Sequence, residues 1–464
     1  MLTLPAADVA AAHTLLGCLA REVAGPERQT GLADGYALIR LPRVDRLLRC
    51  AVARVSEVGA HRYTGPVQQL TGGRWAPVGA VELARMVAGE LTLRTGVANE
   101  EFVTQVQASR DALQQVLDLR PATDPDPTGD PVVDAYVDSE QSLVHGHPRH
   151  PAPKWRTGDT EAWRRYAPEL RRTLRLHWIG VPRALVAEDG PAEELVAALE
   201  PPATRADEVA LPVHPWQFQL AGPLDARLRD LGPGGVPLRP TASVRTLYAP
   251  GTDLFVKTSL SVRITNCLRR NARYELTGAV ALTRLLATLP LAPGAALLPE
   301  PAYRTVDLPG PDEAYGVILR GGLRPHLRPG EIPLLAAALV ADPPRLDDPV
   351  DWWREYAGLL VPAVLDLWAR HGVVHETHLQ NVVVVLAAGR RPVRILLRDL
   401  EGVKLDRERR ADWLAGLPAE VGYEPGRAFD RRAYCLFVHH LAELAGARAD
   451  RHPGVEPALW SALR

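Results

Sequence analysis

The sequence predicts an α+β fold, because short apolar segments typical of strands alternate with longer segments of helical periodicity in its C-terminal half. The composition supports this. Of 464 residues, 46% are hydrophobic and 23% are charged, the balance of a globular protein rather than of a disordered or collagen-like one. This length corresponds to about three domains of ordinary size. The sequence shows no internal repeat and no low-complexity tract.

Helices are predicted where apolar residues recur with the helical period and capping residues flank the segment. Segment 1–23 is interpreted as an amphipathic helix rather than a signal peptide, because it lacks a basic region at its start. The clearest helix is 349–371, where Asp347 or Asp348 caps the beginning and Gly372 ends the helix. Further helices are predicted over 78–117, 132–144, 273–288 and 428–446.

Strands are predicted where short apolar or alternating runs are bounded by turn residues. A Pro-Gly turn at 250–251 joins two of them into a hairpin, and a Gly-Arg-Arg-Pro turn joins another pair. The Pro- and Asp-rich stretch 121–131 is predicted to be a linker. The predicted strands are 171–187, 209–213, 240–248, 253–259, 302–307, 314–320, 382–387 and 393–398.

Charge and cysteine usage exclude several classes of protein. Lys and Arg number 54 against 55 Asp and Glu, so the net charge of -1 gives no overall basic field for nucleic acid or anionic lipid. The four cysteines form no CxxC pair, which argues against a disulfide framework and against a cysteine zinc site. No apolar run reaches the roughly 20 residues of a membrane span. We therefore expect a cytoplasmic protein that binds neither nucleic acid nor membrane.

The segment from His371 to Gly402 combines a polar loop with a predicted hairpin that ends in an acid. Asn381 begins the hairpin and Asp399 ends it, so we expect their side chains to converge. Together with the loop they offer oxygen and nitrogen ligands suited to Mg²⁺ and a triphosphate, in the way that kinases use a loop Asn and a strand-end Asp. The alternative is a capped loop followed by a surface acid. The candidate ligands are Glu376, His378, Asn381 and Asp399.

Basic and hydroxyl side chains alternate along the predicted strands 240–248 and 253–259. Alternation with period two places Ser243 and Arg245 on one face, beside Lys257 on the neighbouring strand. Such a face suits phosphate oxygens, although a solvated charged sheet is the alternative. No GxxxxGK[ST] motif is present, so this is not a P-loop. The candidate residues are Ser243, Arg245, Thr246, Lys257, Arg263 and Arg269.

The loop 145–158 carries three histidines, with Lys154 and Arg156 among its cations. Three histidines suggest a zinc site. The neighbouring cations would disfavour a dication, however, so anion binding is the preferred interpretation and a purely structural loop the remaining one. The residues are His145, His147, His150, Lys154 and Arg156.

Taken together, these segments resemble the NRPS-independent siderophore synthetases of the aerobactin-synthetase type, the IucA/IucC family. The motifs occur in family order over about residues 140–402, and five or six long motifs in order are a specific indication. They are EQSLVHGHPRHPAPKWRTG, HPWQ, PTASVRTLY, VKTSLSVRITNCLRRN, HETHLQN and RDLEG.

The resemblance implies an enzyme that uses ATP and Mg²⁺ to adenylate a carboxylate of citrate, succinate or a related acid. An amine or alcohol then displaces AMP. It also implies a hand-like fold and a homodimer, with a thumb-like domain at 1–130, a fingers domain at 131–330 and a kinase-like palm at 331–464. The chain is short for the family, with 62 residues after Gly402, so we expect the amine site to be reduced or completed by a partner.

The family motifs also imply roles for individual residues. The ATP and phosphate ligands would be Ser243, Arg245, Thr246, Lys257 and Asn381. The metal ligands would be Glu376, Asn381 and Asp399. The ligands of the reacting carboxylate would be His147, His150, Lys154 and Arg269. The catalytic residues would be His147, Arg269 and His378, with either histidine a candidate for the general base of amide formation.

Two other functions fit parts of the pattern. A small-molecule kinase would need an Asp base four to five residues before the metal-binding Asn, where this chain has Glu376, and a Gly-rich loop that the sequence lacks. A non-catalytic paralogue acting as a partner subunit would be consistent with the short C-terminal part. The intact set of charged motif residues argues against the paralogue.

Overall fold

The computed structural model describes residues 4–120, 127–265, 267–308 and 312–463. Within these ranges helices and sheets are mixed, which confirms the α+β class. Residues 121–126 of the predicted linker lie outside the described residues. Asp130, near the end of the predicted linker, caps the next helix by accepting hydrogen bonds from Val132 N and Val133 N, and the linker's last residue, Pro131, already belongs to that helix.

The helices agree with the predicted segments in most places. The α-helices are α1 (Ala6–Leu19), α2 (Ala80–Thr95), α3 (Phe102–Leu119), α4 (Pro131–Gln141), α5 (Thr160–Tyr166), α6 (Ala192–Ala197), α7 (Pro215–Leu220), α8 (Arg273–Leu286), α9 (Ala338–Ala341), α10 (Pro349–His371), α11 (Ala411–Leu414), α12 (Pro425–Ala433), α13 (Ala442–Arg451) and α14 (Glu456–Ser461). Two segments are π-helical, Ala20–Ala24 and Tyr434–Leu441. Short 3₁₀ turns include Leu379–Asn381 and Leu400–Gly402.

An antiparallel five-stranded sheet forms the N-terminal part, in the order β1-β2-β3-β4-β5. Its strands are β1 (Thr30–Ala33), β2 (Tyr36–Leu41), β3 (Arg46–Arg54), β4 (Arg62–Thr71) and β5 (Arg74–Pro77). Helices α1, α2 and α3 pack on it around a core that includes Leu16, Leu48 and Leu83. The prediction of one helix over 78–117 is wrong in its continuity, because Gly96 adopts φ 74° and ends α2.

An antiparallel eight-stranded sheet occupies the middle of the chain, in the order β7-β15-β16-β11-β10-β9-β6-β8. Its strands are β6 (Leu174–Pro182), β7 (Val186–Asp189), β8 (Glu208–Val213), β9 (Arg229–Pro240), β10 (Thr246–Ala249), β11 (Leu254–Thr258), β15 (Ala302–Val306) and β16 (Val317–Arg320). A small ribbon follows β11, formed by β12 (Leu260–Ile264) and β13 (Cys267–Arg269). Trp178 and Trp216 lie fully buried in the core on this sheet.

Two smaller sheets form the C-terminal part. The four-stranded sheet has the order β14-β20-β19-β17 and consists of β14 (Ala295–Leu297), β17 (Ile332–Leu335), β19 (Val382–Leu386) and β20 (Pro392–Leu397). The three-stranded sheet consists of β18 (Val373–Val374), β21 (Lys404–Asp406) and β22 (Gly422–Tyr423). Helix α10 packs on them through Trp353, Tyr356 and Leu360. The predicted helix 428–446 is longer than expected and is π-helical in its middle.

None of the helices in the described ranges is long and apolar enough to cross a lipid bilayer.

Candidate active site

Lys257 lies on β11, near the middle of the largest sheet. Antiparallel pairing places it opposite Thr246 on β10 and opposite Ile318 on β16. Its ammonium donates to Asp399 Oδ1 at 2.5 Å and to Glu401 Oε2 at 2.7 Å, and both acids follow β20. One buried cation is therefore shared by two carboxylates, and this contact joins the central sheet to the C-terminal part.

A second ion pair supports Asp399. Arg320, on β16, donates to Asp399 Oδ1 at 2.9 Å and to Glu300 Oε1 at 2.6 Å. Burial alone would raise the pKa of Asp399, but Lys257 and Arg320 hold that pKa well below its ordinary value. The side chain of Asp399 is 30% exposed. An ionised carboxylate is therefore accessible to a ligand at the edge of a buried charge network.

Arg245 lies beside this pair of carboxylates. Its Nη1 donates to Asn271 Oδ1, and its Nη2 is 3.6 Å from Glu401 Oε2. Asn271 is fully buried, and its amide donates to the carbonyls of Lys257 at 3.1 Å and Gly316 at 3.0 Å. The buried amide therefore fixes the guanidinium of Arg245 relative to the strand that carries Lys257.

The sequence predicts that Ser243 and Arg245 alternate along a strand. The structure instead places both residues in the turn between β9 and β10. Thr246 O accepts from Thr241 N at 2.9 Å, and Ser243 Oγ accepts from Thr246 N at 3.1 Å. These hydrogen bonds close the turn. They take the place of the strand-to-strand hydrogen bonds that a longer β10 would form. Val244 has φ 66°, which is rare for a β-branched residue, and such strain is concentrated at ligand sites.

Asn381 and Asp399 lie at the same end of the β19–β20 hairpin. The register pairs Val382 with Leu397, and Arg398 N donates to Asn381 O at 3.1 Å. Asp399 then adopts left-handed backbone angles, with φ 75°. The hairpin therefore places Asn381 and Asp399 at the same end, where its two strands meet the polar loop.

Glu376, in the same polar loop, already has a cationic partner. Its Oε1 accepts from Arg431 Nη2 at 2.7 Å, and its carbonyl accepts from Asn381 Nδ2 at 3.1 Å. Burial raises the pKa of Glu376, and Arg431 opposes that rise. In this arrangement Glu376 positions Asn381 through its backbone.

Asp399 and Glu401 are the carboxylates best suited to hold a divalent cation, because they share Lys257 across a single 3₁₀ turn. Mg²⁺ usually takes one or two carboxylates and completes its shell with phosphate oxygens and water. Among the described residues no group of three or more His, Cys, Asp or Glu side chains could hold a metal ion. Two carboxylates would supply only part of the shell of such a cation.

Lys154, predicted to bind a carboxylate substrate, instead forms a buried ion pair. Its Nζ donates to Glu169 and to Leu143 O, and the residue is only 6% exposed. Burial would raise the pKa of Glu169, but Lys154 and Arg156 keep that pKa below its ordinary value. Because Glu169 neutralises Lys154, the structure favours a structural role for this lysine.

The other part of the same loop brings histidines together. The ring of His147 lies 4.8 Å from that of His439 and 6.5 Å from that of His378, measured between centroids. Burial lowers the pKa of His378 to about 3 and of His439 to about 4, and it lowers the pKa of His147 well below 6.5. These imidazoles are therefore neutral at pH 7. His150 Nδ1 accepts from Ala152 N at 3.1 Å, within the loop.

Arg269 adjoins Arg245, whereas Arg263 points to the N-terminal helices. Arg269, on β13, donates to Ile264 O at 3.1 Å, and its own carbonyl accepts from Arg245 Nη1 at 3.2 Å. Arg263 donates to Glu101 at 2.8 Å in an exposed pair. Of the two arginines, Arg269 is the one in contact with Arg245, through its backbone carbonyl.

Sequence reasoning missed four residues of this site: Glu300, Arg320, Glu401 and His439. Glu401 could have been found, because it lies in the same RDLEG motif as Asp399. The pair Glu300–Arg320 carries no local motif and is assembled only by the tertiary fold. His439 lies in an apolar helical segment, where a histidine resembles a core residue.

Two family models match the chain. The model of the IucA/IucC family matches residues 135–341, and the model of the FhuF-like ferric iron reductase transporters matches residues 350–464. The first range contains Arg245 and Lys257, and the second contains Asp399 and His439.

Named proteins with similar sequences include a siderophore biosynthesis protein and a citrate ligase. The rhizobactin siderophore biosynthesis protein RhbC of Rhizobium meliloti is 29% identical, over 97% of this chain and 86% of that protein. The L-2,3-diaminopropanoate–citrate ligase of Staphylococcus aureus is 28% identical, over 72% of this chain and 66% of the ligase. The ATP-bound aerobactin synthetase IucA of Klebsiella pneumoniae has a similar fold, with a TM-score of 0.83, 23% identity, and coverage of 99% of this chain and 90% of that one.

Proposed function

We propose that this chain, which belongs to the IucA/IucC family, is an AMP-forming ATP-dependent synthetase of siderophore biosynthesis. It would adenylate a carboxylic acid such as citrate and condense it with an amine or alcohol. The observation that carries the proposal is the corner where Lys257 binds both Asp399 and Glu401. Cations and carboxylates held this closely suit a metal-bound polyphosphate.

Phosphate binding is assigned to the side chains around that corner. Arg245 can bind two phosphate oxygens as a fork, and Lys257 acts as a point charge. Neutral hydroxyl donors are available on the adjacent turn, from Ser243 and Thr246, and Asn381 would add an amide. Arg245 and Lys257 are buried, so their charges are strong there and need little reorganisation on binding.

Mg²⁺ is assigned to Asp399 and Glu401, with Asn381 beside them. When bound, the ion would neutralise phosphate charge and fix the nucleotide's position. Glu376 was predicted as a further ligand, but its ion pair with Arg431 favours a supporting role. Asp399 and Glu401 would give up part of their contact with Lys257 in order to bind the cation. The ammonium of Lys257 would then be free to contact phosphate.

The carboxylate of the acid is assigned to His147, His150 and Arg269. Adenylation brings one anion up to another, so neutral and positive donors around the acid lower the repulsion. Arg269 lies beside Arg245 through a backbone contact, which links the acid to the phosphate ligands. Lys154 would act indirectly, by holding the loop through Glu169.

The wider architecture follows the same proposal. We assign a thumb at 1–130, fingers at 131–330 and a kinase-like palm at 331–464, in a cytoplasmic homodimer. The pairing of Lys257 with Asp399 and the position of Asn381 support the palm assignment, because phosphoryl-transfer sites use the same three residue types. Sedimentation of the purified chain would test the dimer.

The proposed reaction is tested by the products formed from ATP with a panel of carboxylic acids that includes citrate and succinate. The synthetase must release pyrophosphate and AMP in an acid-dependent way. Release of ADP would instead show a kinase. Absence of any acid-dependent ATP consumption would favour a non-catalytic partner subunit.

A further inference from the structure

The N-terminal π-helical segment contacts the C-terminal one, although more than 400 residues separate them in sequence. Tyr434 OH donates to Glu22 Oε1, and Arg21 Nη2 donates to the same oxygen at 2.6 Å. Burial would raise the pKa of Glu22, but these two hydrogen bonds lower it below its ordinary value. An ionised carboxylate, 49% exposed, is therefore fixed at this contact. Segments of π-helix are rare and frequently lie at functional sites.

A row of rings leads from this carboxylate to the polar loop of the site. The ring of Tyr434 lies 4.3 Å from that of His439, and His439 lies 4.8 Å from His147. His147 in turn lies 6.5 Å from His378, which is three residues before Asn381. All four rings are only half-buried. The row therefore connects the half-exposed carboxylate of Glu22 with the polar loop that carries Asn381.

Within the described residues, two rings of this row have a buried nitrogen without a hydrogen-bond partner, His378 Nδ1 and His439 Nε2, and His439 is the one that adjoins Tyr434 and Glu22. Its Nε2 is buried and has no hydrogen-bond partner within the described ranges. Leaving such a group unpaired is unfavourable, so its presence calls for a ligand or a function. Burial, assisted by Arg21, lowers the pKa of His439 to about 4, which keeps the imidazole neutral at pH 7, with one of its two nitrogens a hydrogen-bond acceptor. The charged groups around His439 are Arg21, Glu22, Arg149 and Arg431, with Glu443 paired to Arg149.

We propose that His439 Nε2 accepts a proton from the nitrogen of the incoming amine during amide formation, and that Glu22 attracts the cationic amine to this row of rings. This inference rests on the proposed function, because it assigns the second half of that reaction. It also gives the C-terminal helical segment and the N-terminal helix a shared role in the acceptor site.

The step balances as follows. The amine enters as an ammonium ion and gives one proton to solvent. Its nitrogen lone pair attacks the acyl carbon of the acyl-adenylate, and the C–N bond forms. The nitrogen becomes positively charged and much more acidic, and its second proton passes to His439. The carbonyl re-forms as the C–O bond to AMP breaks, AMP leaves with that electron pair, and the imidazolium returns its proton to solvent.

Adenylation and amide formation can be measured separately, which distinguishes a role of His439 in amide formation from a role in adenylation. His439→Gln keeps a polar side chain but cannot take up a proton. Citrate-dependent exchange of pyrophosphate into ATP should stay within about threefold of the unchanged protein. Amide formation with L-2,3-diaminopropanoate, putrescine or spermidine should fall by about 100-fold, the usual contribution of a general base. Capture of the adenylate by hydroxylamine, which is largely uncharged at pH 7.5, should fall much less.

His452→Gln is the matched control, since its ring contacts Leu346 N outside the row, and it should alter neither half-reaction. Glu22→Gln should raise the KM of the cationic amines about fivefold and leave hydroxylamine capture unchanged, because only the charge attraction is lost. The proposal is overturned if His439→Gln slows exchange as much as amide formation, or slows hydroxylamine capture as much as amine coupling. If the unchanged protein catalyses no citrate-, succinate- or other acid-dependent exchange, the proposed function itself fails.

Discussion

At the scale of single residues, the site is organised by one buried cation between two acids. Lys257 is 3% exposed in its side chain, and Asp399 and Glu401 both contact its ammonium. Burial opposes the charge of Lys257, yet the acids raise its pKa above the ordinary value. The residue therefore stabilises the fold and also holds a fixed positive charge for phosphate.

The first prediction concerns that double role. Lys257→Ala should abolish adenylation with every acid tested, and it should also lower the free energy of unfolding by up to about 3 kcal/mol, because Asp399 and Glu401 lose their shared partner. Pyrophosphate exchange and urea denaturation measure the two effects. Lys404→Ala is the control, a lysine outside the charge network, and should change neither. Full exchange activity of Lys257→Ala at limiting ATP would remove the lysine from the phosphate site.

The second prediction concerns the metal ligands. Asp399→Asn preserves the size of the side chain and removes its negative charge. The Mg²⁺ concentration needed for half-maximal exchange should rise by about 10-fold or more, because one of two carboxylate ligands is lost. Titration of activity with MgCl₂ at saturating ATP measures this shift. An unchanged titration curve would show that Asp399 does not bind the metal.

At the scale of elements, helix α10 illustrates how local sequence determines a boundary. Asp348 accepts from Val350 N and Asp351 N at 2.9 Å each, and Gly372 ends the helix with φ 60°. A Cβ at Gly372 would lie 2.8 Å from Arg409 Cβ. The cap and the left-handed residue are both visible in the sequence, which is why the predicted bounds 349–371 are correct.

The third prediction compares two glycines at this helix. Gly372→Ala should lower the free energy of unfolding by about 1–2 kcal/mol, since an L-residue is strained at positive φ. Gly358→Ala, in the exposed interior of α10 with open space around its Cβ, should raise that free energy by up to about 1 kcal/mol. Urea denaturation of both variants measures the contrast. Equal effects would contradict the assignment of Gly372 as the helix end.

Elements with a clear local pattern were predictable, and those that depend on tertiary pairing were not. The hairpin of β10 and β11 follows from its Pro-Gly turn and was expected. The five-stranded sheet of residues 30–77 was not predicted, because most of its strands are only partly buried and their apolar residues do not alternate cleanly. Sequence pattern gives the period of a segment, but it does not give the partner that pairs with it.

The same limit applies to the site. Lys257 and Asp399 were both singled out, yet the sequence indicates a phosphate ligand and a metal ligand, not the direct contact between them. Lys154 was expected to face an acid substrate because its loop is rich in cations. Its partner Glu169 lies fifteen residues away in a separate segment, and no periodicity indicates that the two are paired.

At the scale of the whole molecule, buried ionisable groups should make the protein sensitive to acid. Burial lowers the pKa of His378 to about 3 and of His439 and His440 to about 4, whereas an unfolded histidine titrates near 6.5. Between these values the unfolded chain binds more protons, so stability is lost as pH falls below about 6.5. Asp399 and Glu401, with lowered pKa values, add to the loss only below their unfolded pKa near 4.

The fourth prediction follows from this loss of stability at low pH. The Tm should decrease steadily between pH 7 and pH 4.5, as measured by circular dichroism at constant ionic strength. His440→Gln should weaken the dependence, since one of the buried histidines no longer titrates. A Tm that stays constant over this range would contradict the burial of neutral histidines.

The proposed adenylation is tested most directly by following the carboxylate oxygen atoms of citrate into the products. Citrate labelled with ¹⁸O in its carboxylates is incubated with the protein, ATP, Mg²⁺ and hydroxylamine, and the nucleotide and phosphate products are examined by mass spectrometry. Adenylation followed by displacement must leave one ¹⁸O atom in AMP and none in pyrophosphate. Appearance of the label in inorganic phosphate together with ADP would show activation through an acyl phosphate and would contradict the account.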